Sequence, residues 1–204
     1  MPGKPDTRSS TARVSRGPRA RTLRIIGGSW RGRTWRFPEG EIRPTPDRVR
    51  ETLFNWLAPG IAGARCLDLF AGSGALGLEA LSRGAARVVF VEQAARTARE
   101  LRETLARFGG ERAAAAQVQH QDAARYLQGT PEAFDVVFLD PPFAAGLLAP
   151  VARQLEAGGW LRPSALIYAE CPAREPLPGL PAGWLLAKSG RAGEVGYHLL
   201  RRTP

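Results

Sequence analysis

The stretch Asp68-Leu69-Phe70-Ala71-Gly72-Ser73-Gly74-Ala75-Leu76-Gly77 follows an apolar run and opens a helix-like segment. Gly72, Gly74 and Gly77 fit the pattern G-x-G-x-x-G, in which glycine permits a tight turn and lets a ligand approach the backbone at a helix N-terminus. Glu92 lies 20 residues past Gly72, at the tip of the next strand-like run, where a carboxylate can accept from ribose hydroxyls. NAD, FAD and S-adenosylmethionine (SAM) sites all share these features. Asp68 separates them: a carboxylate four residues before Gly72 repels a pyrophosphate but favours the ammonium and sulfonium of SAM. The expected cofactor site is therefore for SAM, at Asp68, Phe70, Gly72, Gly74, Glu92 and Gln93. Asp122, followed by Ala123, is placed to meet an adenine amino group, and its spacing serves equally well for a helix N-cap.

A second constellation is Asp140-Pro141-Pro142-Phe143, at the end of another apolar run. In an open α/β sheet, strand ends of this kind share one edge with the glycine loop. Two consecutive prolines leave a rigid turn without amide hydrogens, so the turn presents acceptors: the Asp140 carboxylate and the Pro141 carbonyl. An exocyclic base amine is a poor nucleophile because its lone pair is conjugated with the ring. Acceptors on its N–H groups favour a pyramidal nitrogen and disperse charge as a methyl arrives. Phe143 can stack on a base that is flipped out or single-stranded. A plain strand-to-loop stop with a core Phe is the alternative. The same turn suits adenine N6 and guanine N2.

Around these motifs the chain alternates strand and helix from Arg65 onward. Strand-like runs are Cys66–Phe70, Arg87–Glu92, Gln117–Gln119, Phe134–Asp140 and Ala165–Glu170. Helix-like runs are Ala75–Arg83, Ala94–Phe108, Ala123–Leu127 and Leu147–Leu155. Regular βα alternation with nearly continuous apolar strands implies a mostly parallel, doubly wound α/β sheet. Trp184–Lys188 and Val195–Leu200 follow with no helix between them and are expected to pair antiparallel at its end. Upstream, Leu23–Ile26 and Trp30–Phe37 alternate apolar and basic residues around glycines, which predicts a small hairpin. Thr45 as N-cap and Pro46 as first residue then predict a helix with the stripe Val49, Leu53, Trp56 and Leu57. The expected organisation is a basic arm over 1–20, a hairpin-and-helix extension over 21–60, and a catalytic domain over 61–204.

Charge is unevenly placed. The 204 residues carry a net charge of +10, and residues 1–36 hold Lys4 and nine arginines against Asp6 alone, which is +9. The rest is close to neutral. Of 29 basic residues 27 are Arg, the side chain suited to bidentate phosphate contacts. Arg8, Arg13, Arg16, Arg19 and Arg21 of the arm are candidates for such contacts. Cys66 and Cys171 are too few for a disulfide framework, and no metal site is expected. No apolar run approaches a membrane span or a signal peptide, so a soluble cytoplasmic protein is expected. A dehydrogenase is disfavoured by Asp68 and by the lack of a His or Tyr placed for hydride chemistry. A non-catalytic nucleic-acid-binding module is disfavoured by intact Asp68, Glu92 and Asp140.

Asp68–Gly77 resembles the SAM motif of class I methyltransferases, and Asp140–Phe143 resembles the D-P-P-[FYW] motif of enzymes that methylate exocyclic amines of adenine or guanine. Arg24-Ile25-Ile26-Gly27-Gly28, Arg31-Gly32-Arg33, Arg43-Pro44-Thr45 and Arg48-Val49-Arg50-Glu51 with Leu53-Phe54-Asn55 extend the likeness upstream. In this combination the chain resembles the bacterial RsmD family, which methylates guanine N2 in 16S ribosomal RNA. The resemblance implies a Rossmann-like class I fold with a seven-stranded sheet. It implies Thr45 closing over SAM, with Gly72, Gly74, Glu92 and Asp122 lining its pocket. Asp140, Pro141 and Phe143, with Pro142, would hold the guanine. Arg24, Arg31, Arg33, Arg36 and Arg43 would meet RNA, and the partner would be 16S rRNA in an assembling or assembled 30S particle. A monomer is the default expectation.

Overall fold

The computed structural model describes residues 20–38, 45–177 and 179–203. Its first element is the expected hairpin, β1 (Ala20–Arg24) paired antiparallel with β2 (Thr34–Pro38). Leu23 faces Trp35 across the pair, and both are buried. Trp30, expected in the second strand, sits instead in the intervening turn, where Gly28 and Gly32 take positive φ.

Helix α1 (Asp47–Leu57) follows. Thr45 does not cap it. Pro46 occupies the cap position, and the Thr45 hydroxyl is turned away to Glu170. The expected stripe is buried at Val49, Leu53 and Leu57, but Phe54 and Arg50 are buried with it while Trp56 is half exposed.

Five parallel strands then alternate with helices. They are β3 (Arg65–Asp68), β4 (Arg87–Glu92), β5 (Ala116–His120), β6 (Phe134–Leu139) and β7 (Leu161–Pro172). The helices are α2 (Ala75–Ser82), α3 (Ala95–Phe108), α4 (Gly110–Ala114), α5 (Ala123–Tyr126) and α6 (Leu148–Ala157). Two strands close the chain, β8 (Trp184–Ala192) and β9 (Val195–Arg202), with β9 inserted antiparallel between β7 and β8. The sheet order is β5-β4-β3-β6-β7-β9-β8, the arrangement of the class I methyltransferase fold. The short α4 has no buried side chain and gave no periodic signal in the sequence.

Each face of the sheet is covered, because alternate strand residues point to opposite sides. Cys66, Val88, Val136 and Phe138 face a core shared with the hairpin, α1, α2 and α3. Leu67, Val89, Val137 and Leu139 face a second core with α5, α6, Trp160 and Trp184. Burial holds the Cys66 thiol well above its ordinary value, in keeping with a small core hydrophobe. Among the described residues no helix is long and apolar enough to cross a membrane.

Candidate active site

The carboxyl ends of β3, β4, β6 and β7 carry acids, and this common edge is where the candidate site lies. Asp68 closes β3, buried, with Oδ2 accepting from the Gly77 amide at 3.0 Å. Burial is the main force on its carboxyl, opposed by that hydrogen bond and reinforced by Glu92, and it is pushed up to about 7. Glu92 closes β4 and spans the glycine loop. Its Oε2 accepts from Gly72 N at 2.9 Å and its Oε1 from Ala94 N at 2.7 Å.

Between them the loop turns on Gly72 and Gly74, both with positive φ. A Cβ at Gly74 would come within 2.5 Å of Leu101, and one at Gly77 within 2.2 Å of the Phe90 ring. The first and second glycines thus serve the turn and the third serves close helix–sheet packing. The Ser73 carbonyl accepts from the Trp35 indole Nε1 at 3.0 Å, which joins the hairpin directly to this loop. Phe70 is half buried, and Gln93 is exposed with its carbonyl 3.2 Å from His120 Nε2.

Asp122 is the N-cap of α5: its Oδ1 accepts from Ala124 N and Arg125 N at 2.9 and 3.2 Å. The cap leaves Oδ2 without a protein partner among the described residues, and Ala123 beside it is buried.

Asp140 follows β6, and Pro141 behind it is buried. Phe143 begins a single 3-10 turn and is 40% exposed, which rules out the core-Phe reading. Its ring borders a cleft lined by Pro141, Pro142, Leu147, Glu170 and Pro172. Burial, then the charges of Glu170 and Asp68, hold the Asp140 carboxyl well above its usual range.

Glu170 and Tyr168 were not singled out by the sequence. Both lie on β7; Leu139 is in register with Ala169, so Asp140 and Glu170 are the next positions on neighbouring parallel strands. Glu170 Oε1 accepts from the Tyr168 hydroxyl at 2.6 Å and from the Thr45 hydroxyl at 3.2 Å. Burial pushes the Glu170 carboxyl up, and these two donors pull it down. A carboxylate ending an apolar strand is the signal that marked Asp140, and it could have marked Glu170.

Three carboxyl groups, Asp68, Asp140 and Glu170, are thus raised mainly by burial, and no described Lys or Arg pairs with them. Burying an acid without countercharge is costly, so Asp68, tied to the glycine loop, fits a cationic ligand. SAM, with its ammonium and sulfonium, meets that requirement. Among the described residues no group of His, Cys, Asp and Glu could hold a metal ion.

The hairpin arginines are arranged differently. Leu23 and Trp35 point inward, so Arg24 and Arg36 project from the opposite face; both are exposed, and Arg24 Nε donates to Asp47 at 2.8 Å. Arg31 is exposed in the turn. Arg33 donates to the Phe108 carbonyl and stacks over Trp30 and Phe108, so its guanidinium fastens the turn to α3. Arg43, Arg8, Arg13, Arg16 and Arg19 lie outside the described residues.

A family model described as Conserved hypothetical protein 95 matches residues 23–201. Ribosomal RNA small subunit methyltransferase D of Escherichia coli (strain K12) is 49% identical over 183 residues, covering 88% of this chain and 90% of that protein. The chain belongs to the RsmD family. Another RsmD-family relative, ribosomal RNA small subunit methyltransferase D of Haemophilus influenzae, is 45% identical over 87% of this chain and 92% of its own. The solved structure of the Escherichia coli methyltransferase yhhF superposes with a TM-score of 0.83 at 48% identity, covering 89% of this chain and 98% of that one.

Proposed function

We propose that this chain methylates the exocyclic N2 amine of a guanine in 16S ribosomal RNA, using SAM. The observation that carries the reading is the acceptor turn Asp140-Pro141, with exposed Phe143, set beside a buried acid cluster at the edge of the glycine loop. Relatives named for ribosomal RNA small subunit methylation support the RNA substrate.

Gly72 and Gly74 would admit the cofactor's amino-acid end to the backbone, with Asp68 facing its ammonium. Glu92 would accept from the ribose hydroxyls and Asp122, beside Ala123, from the adenine amine; Thr45, Phe70 and Gln93 would complete the enclosure. When bound, SAM supplies an electrophilic methyl group on a sulfonium centre. Phe143 would stack on the extruded base, while the Asp140 carboxylate and the Pro141 carbonyl hold the two amine hydrogens. That grip aims the nitrogen lone pair along the line of transfer, so positioning supplies much of the rate. The same acceptors stabilise the charge that develops on nitrogen, and the surplus proton can leave after transfer. Arg24, Arg31, Arg36 and Arg43, with Arg33 holding the turn, would meet phosphates; the arm over 1–20 would add electrostatic grip. The extension over 21–60 would thus serve RNA and cofactor together, with 61–204 carrying the chemistry. The natural setting would be a monomer acting in the cytoplasm on 16S rRNA within a 30S particle.

The test is incubation with labelled SAM and undermethylated 30S subunits, followed by digestion to nucleosides. Labelled N2-methylguanosine is expected. N6-methyladenosine, or no labelled nucleoside, would overturn the reading.

A further inference from the structure

We propose that Glu170 selects guanine, accepting the ring N1–H of the base while Asp140 and Pro141 take the exocyclic amine. This rests on the functional reading above and extends it to the choice of base. Asp140 and Glu170 follow the registered pair Leu139 and Ala169, so their backbones are neighbours across one strand spacing, roughly 4.8 Å. Glu170 lines the cleft together with Pro141 and Phe143, and Asp140 directly precedes Pro141.

Glu170 is built as an acceptor. The Tyr168 and Thr45 hydroxyls both donate to Oε1, which fixes the carboxyl group's orientation and opposes, without cancelling, the upward push of burial. Its Oε2 has no protein partner among the described residues. An acid held this way, with one oxygen open to a cleft, is ready to accept from a donor that enters the cleft.

The two purines differ at just this place. On its Watson–Crick edge guanine presents adjacent donors, N1–H and the 2-amine. Adenine presents its amine beside a bare N1, which is an acceptor. A row of acceptors from Asp140, Pro141 and Glu170 matches the first. It would set lone pair against lone pair on the second. A site whose polar groups are left unpaired by the wrong substrate discriminates strongly, because the penalty is the buried unsatisfied group itself. The turn alone could not make this choice, since it reads only the amine.

The probe is 2,6-diaminopurine, which keeps the 2-amine but replaces N1–H by an acceptor nitrogen. Ligated 16S rRNA carrying guanine or diaminopurine at the target position is reconstituted into 30S subunits and methylated by the full chain. Wild type is expected to lose about 10- to 100-fold in kcat/KM on diaminopurine. Glu170→Gln, whose amide can donate to the ring nitrogen, should erase most of that ratio by gaining on diaminopurine, and Glu170→Asp should keep the guanine preference. SAM affinity by calorimetry should stay within about twofold in both variants.

Equal wild-type rates on the two bases would overturn the proposal, even if the Gln variant failed to fold. So would a Gln variant that loses the same factor on both, as a purely structural role requires. Failure of wild type to methylate guanine at all would instead sink the functional reading, and this inference with it.

Discussion

The Trp35 indole donates its only N–H to the carbonyl of Ser73, so a side chain of the N-terminal hairpin holds the middle of the glycine loop. The bond is buried, and the indole also meets Phe108 edge-on at 6.3 Å. The loop's conformation therefore depends on an element 38 residues upstream. Trp35→Phe keeps an aromatic ring against Phe108 but leaves the Ser73 carbonyl unpaired. It is expected to cost about 1–3 kcal/mol in denaturant unfolding. Calorimetry should also show SAM affinity weakened, whereas Arg36→Ala on the outer face should leave it unchanged.

Asp68 sets a pH dependence whose sign can be worked out. Its folded value of about 7 lies above the ordinary 3.8, so the ligand-free fold favours the protonated acid. That contribution is complete below about pH 4 and is lost as pH rises through about 7. Asp68→Asn, which can still accept from Gly77, mimics the protonated form. Thermal melts of the ligand-free proteins should show the variant the more stable at pH 8, by up to about 4 kcal/mol, and the two alike near pH 4. SAM binding at pH 8 should move the opposite way and weaken.

Glu79, fully buried on α2, is a hub between the extension and the sheet. It accepts from Ile26 N and Gly27 N at 2.9 and 2.8 Å, pairs with Arg83 at 2.8 Å and lies 3.9 Å from Arg50. Glu79→Ala would leave two amides and the Arg83 guanidinium without their acceptor and take from buried Arg50 one of the two carboxylates that meet it. An unfolding loss of about 3–5 kcal/mol is expected from urea titration. The double variant Arg50→Met with Glu79→Gln should recover part of it.

Asp140→Ala removes the acceptor proposed for the amine and leaves the glycine loop intact. Methyl transfer should fall by about tenfold to several hundredfold while SAM affinity holds. Lost SAM affinity with normal turnover would refute the assignment. Phe143→Ala should raise KM for the RNA through lost stacking, worth about 1–3 kcal/mol.

Arg31 and Arg36 are exposed. Each Ala substitution should flatten the slope of log affinity for RNA against log salt by roughly 0.7–0.9 if that guanidinium binds a phosphate. A slope unchanged in filter binding would remove that residue from the interface.

The sheet was readable because its strands are nearly unbroken apolar runs between helical stripes, and because glycines and prolines punctuate its edge. The hairpin's Leu23 and Trp35 were equally legible from alternation. Arg50 was not: a guanidinium at a helix position that reads as solvated is buried only because Asp47 and Glu79 meet it, and those partners are set by tertiary packing. Thr45 misled for the same reason, since its hydroxyl could cap α1 locally but is taken by Glu170, 125 residues away. Within the candidate site, the residues that the sequence points to are those on local turns, and the wall supplied by β7 is not among them. Its Glu170 becomes meaningful only beside Asp140, through strand pairing that spacing does not reveal.

The insertion of β9 between β7 and β8 bears on how the chain matures. β8 has β9 as its hydrogen-bonded neighbour in the sheet, yet emerges from the ribosome before it. Trp184 to Ala192 must therefore wait for the next strand before it can dock. Glu170 waits as well, since its strand is flanked on that side by Tyr197 of β9. Long-range pairings of this kind close late. The glycine loop can take shape early, but the acid-lined wall is completed only when β9 slots in, so competence for chemistry should arrive in one step with that docking rather than growing with chain length.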